Sequence, residues 1–96
     1  MLHDVWLKLS AVEDLAEGYA WYQEEAGLGN DFLATVERSL ESISRHAIVN
    51  NVRRALMRRF PYSIFYEEAA EGIIVRAIFH NARKPSRWRR QLREDE

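Results

Sequence analysis

The sequence predicts an α+β domain: an N-terminal strand, an antiparallel helical hairpin, a three-stranded antiparallel meander and a short basic C-terminal helix. Three observations lead there. Apolar residues recur at three- and four-residue steps from Val12 to Ile43, then alternate or run together from Val52 to Phe79. Glycine, asparagine and proline stand between these blocks, at Gly27, Asn30, Pro61 and Gly72, where turns are needed. The tail from Arg83 to Arg93 carries six basic residues and no acid.

The first element is VWLKL, residues 5–9, which alternates Val5, Leu7 and Leu9 with Trp6 and Lys8, the period of a half-buried strand. Ser10 precedes Glu13 by three residues, the spacing of a capping box in which hydroxyl and carboxylate satisfy the free amides of a helix start. The first helix should then bury Val12, Leu15, Ala16, Tyr19 and Tyr22 and turn Glu13, Asp14, Glu17 and Glu24 to water. Gly27 ends it, because glycine accepts the left-handed backbone that closes helices, and Asn30 is placed to cap the next. The second helix should present Phe32, Leu33, Val36, Leu40 and Ile43 and fade near Arg45 or His46.

Three β-type runs follow: VRRALMRRF, YSIFYEE and GIIVRAIFH, with turns at Pro61 and across residues 69–72. In the last run, alternation puts Ile73, Val75, Ala77 and Phe79 on one face and Ile74, Arg76, Ile78 and His80 on the other. Arg76 and His80 would then look outward from one side of the sheet. Phe60 and Pro61 read as the core anchor and turn that begin the central strand, leaving Arg58 and Arg59 for contact.

Composition narrows the function classes. A chain of 96 residues with 47% hydrophobic and 30% charged composition is the profile of one domain, residues 1–96. It has no cysteine, hence no disulfide or thiolate chemistry, and a reducing, cytoplasmic setting is expected. No apolar run is long enough for a signal or a membrane span. The net charge of −1 conceals two opposite halves: residues 1–48 hold three basic and nine acidic residues, residues 49–96 eleven basic and six acidic. The positive half is suited to an anionic partner or to the chain's own acidic helices.

The order of elements, together with RRFPYSIFY at 58–66 and HNARKPSRW at 80–88, resembles the RelE/ParE superfamily of bacterial type II toxins. GLGNDF between the helices, the arginine-rich strand leading to Phe-Pro-Tyr, and His-x-x-x-Arg-x-Pro-x-x-Trp resemble its ParE-like branch. The resemblance implies a toxin neutralised by a cognate antitoxin encoded beside it. Members poison DNA gyrase or cleave mRNA on the ribosome. The expected activity is gyrase poisoning, with ribosome-dependent mRNA endonuclease, or a non-toxic member acting only in the antitoxin complex, as the alternatives. The mRNA-cleaving branch usually carries a tyrosine or comparable acid-base group near its C-terminus, and no tyrosine follows His80 here.

A metal-independent nuclease would need a proton carrier and cations for the phosphorane. Arg54, Arg58 and Arg76 would supply charge in planar forks that fit phosphate, and His80, Tyr62 or Tyr66 the proton. The candidate catalytic set is therefore His80, Arg58 and Arg76. The candidate binding set is Arg54, Arg59, Tyr62, Arg83, Arg87, Trp88, Arg89 and Arg90, with Trp88 either stacking on a base or anchoring the tail. His3, His46 and His80 are too scattered to read as metal ligands, the serines occupy capping, solvent or turn positions, and no glycine-rich phosphate loop or other cofactor motif is present.

Overall fold

A computed structural model describes residues 4–45, 52–70, 72–82 and 90. The elements are β1 (Asp4–Leu7), α1 (Leu9–Ala26), α2 (Gly29–Arg45), β2 (Val52–Leu56), β3 (Tyr62–Ala69) and β4 (Gly72–His80). The α+β class and the meander are as expected. The basic C-terminal helix falls, apart from Arg90, outside the described residues.

The sheet runs β1-β4-β3-β2. β2, β3 and β4 are the antiparallel meander, and β1 pairs in parallel with β4, Val5 opposite Ile73 and Leu7 opposite Val75. Because β1 stops at Leu7, the rest of β4 would show bare backbone on that side. The start of α1 covers it: Lys8 N donates to Val75 O (2.9 Å), Ser10 Oγ to Arg76 O (3.3 Å), and Ile78 N to Asp14 Oδ2 (3.0 Å). A buried amide without a partner costs about 1–3 kcal/mol, so these groups act as a missing strand.

That duty overrides two expectations from helical spacing. The N-cap of α1 is Lys8 with no side-chain cap, and Ser10 lies inside the helix, where its hydroxyl donates to the Arg76 carbonyl of β4. The buried face is Ala11, Asp14, Gly18 and Tyr22, while Val12 and Ala16 are exposed. Asp14, read as a solvent residue, is buried because a strand amide needs it.

At the hairpin, Gly27 takes the left-handed backbone (φ 66°, ψ 25°), and the amides of Gly27 and Leu28 return to the carbonyls of Gln23 and Tyr22. α2 starts at Gly29, whose amide donates to Gln23 Oε1 at 3.2 Å; Asn30 is already helical and is not the cap. Phe32, Val36 and Ile43 are buried as expected, but Leu33 is exposed and Thr35 takes a buried place.

The core lies between the helices and one face of the sheet. Phe32 centres an aromatic group with Tyr22, Phe60 and Tyr62, ring centroids 4.9 to 5.5 Å from its own. Ile64, Ile73, Val75 and Ile78 complete that layer. A second, smaller cluster, Phe65, Ala77 and Phe79, occupies the opposite face.

The two clusters expose a break in alternation. Phe65 pairs with Ala77 and Tyr66 with Val75, so Arg76 is an extra residue in β4, a β-bulge. Before it odd-numbered Ile73 and Val75 face the helices; after it Ile78 does, and Ala77 and Phe79 turn to the other face. The expected set Ile73, Val75, Ala77 and Phe79 is therefore split between faces.

Candidate functional site

The second face of the sheet gathers the polar and cationic side chains. Arg54, opposite Phe65 on β2, sets its guanidinium 5.8 Å from that ring and donates through Nε to Ser63 Oγ at 2.8 Å. Ser63 in turn donates to Asn81 Oδ1, which also receives Arg54 at 3.4 Å. Ser63 is 1% exposed, so this buried hydroxyl, read from sequence as a turn or solvent serine, is the hinge of the group. Ser63 and Asn81 are both neutral. The charge of Arg54 therefore remains available to an anion, while its orientation is fixed.

Arg76, the bulge residue, is 5% exposed and pairs with Glu67 at 2.6 Å. A short, largely buried pair of this kind is costly to break, because the survivor is left charged in a poor dielectric. Its charge is compensated within the sheet.

His80 sits elsewhere. It lies opposite Tyr62, their rings meeting edge to face at 5.3 Å, and Tyr62 belongs to the helix-side core. His80 Nδ1 accepts the Ala82 amide at 3.0 Å, which places the proton of the neutral ring on Nε2. The bulge thus separates Arg76 and His80, which simple alternation puts together. Arg58 is in neither place: with Arg59 it lies in the 57–61 turn beside α2. The three residues named for catalysis do not converge.

The remaining proton carrier, Tyr66, is half-buried on the helix side, and its phenol is held above its ordinary value by burial first and by Glu68 next, with Arg53 opposing. Tyr62 is buried in the core. Of the binding set, Arg54 and Arg59 are exposed on different sides and Arg90 is exposed; Arg83, Arg87, Trp88 and Arg89 lie outside the described residues. Ser63 and Asn81 were not legible as site residues, since no local spacing links them to Arg54; only strand register does. Among the described residues no helix is long and apolar enough to cross a membrane.

Neither a family model nor a curated protein matches the chain. Among solved structures, it matches a chain of one described as "Chromosomal ParDE TA system from P. aeruginosa", with a TM-score of 0.61 and 18% identity, over 82% of this chain and 96% of that one. At that identity the likeness is one of fold.

Proposed function

We propose that this chain is the toxin component of a bacterial type II toxin-antitoxin system, neutralised by a cognate antitoxin in the cytoplasm, and that it acts by binding and poisoning DNA gyrase. The observation that carries the reading is the fold that 82% of this chain shares with a chain of the ParDE structure. The RRFPYSIFY and HNARKPSRW segments support the same assignment, and the choice of gyrase comes from their ParE-like character.

Binding is favoured over cleavage by the geometry of the sheet. A nuclease needs its proton carrier and its phosphate-stabilising cations within reach of one scissile group. His80 lies on the helix side, Arg54 and Arg76 on the opposite face, and Arg58 beside α2. Arg54 and the basic residues Arg83, Arg87, Arg89 and Arg90 are the proposed contacts for the target, with Trp88 as an anchor or stacking residue.

Purified chain is expected to inhibit supercoiling by gyrase, and co-expressed antitoxin to restore it. Intact supercoiling together with cleavage of message in a translating extract would replace this reading with the endonuclease one.

A further inference from the structure

Between α2 and the turn that follows β2 lies an open cleft of about 460 Å3. Three arginines from two elements line it: Arg38 from α2, and Arg58 and Arg59 from the turn, with Ser42 beside them and Ile43 and Ala55 in the lining. Among the described residues no carboxylate lines it. Just beyond the lining, Asp31 pairs with Arg59 at 3.2 Å, with both side chains about half exposed. Arg38 makes a long contact, 3.4 Å, with the neutral Thr35 hydroxyl. Two positive charges are thus left in excess at one concave place in a chain whose net charge is −1. Like charges that line one cleft repel one another until an anion joins them.

The backbone carries a second, independent sign. Arg59 has φ 73°, and it is the one described residue other than glycine at positive φ. Such a conformation strains a side-chain-bearing residue, and strain of this kind gathers at ligand clamps. Glycine would hold the turn without strain, so what the strain secures is a guanidinium, laid 5.2 Å from the Phe60 ring.

We propose that this cleft binds a phosphate group, supplied either by a nucleotide or by a nucleic-acid backbone. Guanidinium forks from two directions suit a tetrahedral oxyanion, and the Ser42 hydroxyl adds a donor. The hydroxyls of Thr35 and Ser39 donate to the carbonyls of Asp31 and Thr35, so their protons are used within α2, and Thr35 Oγ1 also accepts from Arg38. The volume is that of a small-ligand site, and Ile43 and Ala55 offer apolar surface to a sugar or base. The proposal is independent of the toxin reading, since binding is measured on the chain alone.

The test compares the full chain with the Arg38→Gln, Arg58→Gln double variant by titration calorimetry, using inorganic phosphate, 5′-AMP and a single-stranded 12-mer oligonucleotide. Both replaced residues are exposed, and equal melting temperatures verify the fold. At least tenfold weaker binding of one or more of the three probes is expected. A nucleotide source would show as loss of AMP affinity with the oligonucleotide unchanged. A backbone source would show as a salt slope for the oligonucleotide shallower by about 0.7 for each phosphate released. Equal binding of all three probes by both proteins, or a glutamate-rich peptide that binds wild type more tightly than any of them and is lost in the variant, would overturn it.

Discussion

Gly18 stands in the middle of α1, where alanine would stabilise an isolated helix by about 1 kcal/mol. In the folded chain a Cβ at this position would lie 2.7 Å from both Cε2 and Cζ of Phe32, and 3.5 Å from the Tyr62 hydroxyl. Phe32 has no room to withdraw. It is 0% exposed and its ring is boxed by Tyr22, Phe60 and Tyr62 at 5.2, 5.5 and 4.9 Å. Forcing atoms into a packed core costs about 1–3 kcal/mol, and three fixed rings place this site at the upper end of that range. After the helix-propensity gain, Gly18→Ala is expected to destabilise by about 1–2 kcal/mol. For a domain of this size each kcal/mol lowers the melting temperature by about 4–8 °C. Thermal and urea unfolding followed by circular dichroism would read the change, with an unaltered urea slope showing that the unfolded state is the same. Phe32→Leu removes the ring atoms that the new methyl meets, so the double variant should lose less than the two single losses added together. A higher melting temperature for Gly18→Ala, or strict additivity with Phe32→Leu, would refute the packing account.

The other expectations concern polar groups. Asp14→Ala should cost about 1–3 kcal/mol by stranding the Ile78 amide, and Asp14→Asn less, since an amide oxygen still accepts; hydrogen exchange at Ile78 should quicken in the alanine variant alone. Burial raises the pKa of the Tyr22 and Tyr66 phenols above their ordinary value of 10.0. Their neutral forms are favoured by folding, so the contribution is complete below pH 10 and lost as pH climbs through the higher folded value; alkaline melting curves should show it, and Tyr66→Phe should flatten them. If the chain acts on gyrase as proposed, His80→Ala should leave that inhibition within about threefold, because its ring is apart from the arginines and no proton transfer is needed. Abolished toxicity with unchanged melting would instead give His80 an acid-base role.

What could be read in the sequence was local. Element order, the Gly27 closure, the burial of Phe32, Val36 and Phe60, and the run of strands follow from spacing and turn chemistry within a few residues. The resemblance to RelE/ParE toxins rests on segments of the same kind, and the fold it implied is the one found. The charge of Arg54 was visible too, but not what orients it.

Tertiary structure decided the rest, because each remaining feature depends on a neighbour distant in the chain. Which face α1 buries was set by the bare edge of β4, whose amide at Ile78 requires Asp14, 64 residues away. The parallel seat of β1 beside β4 has no local signal. The bulge at Arg76 exists only through the register between β3 and β4, yet it sends Arg76 and His80 to opposite faces and so reshapes the site. Side-chain type fixes what each group is able to do; strand pairing and edge satisfaction, both long-range, fix which of them meet.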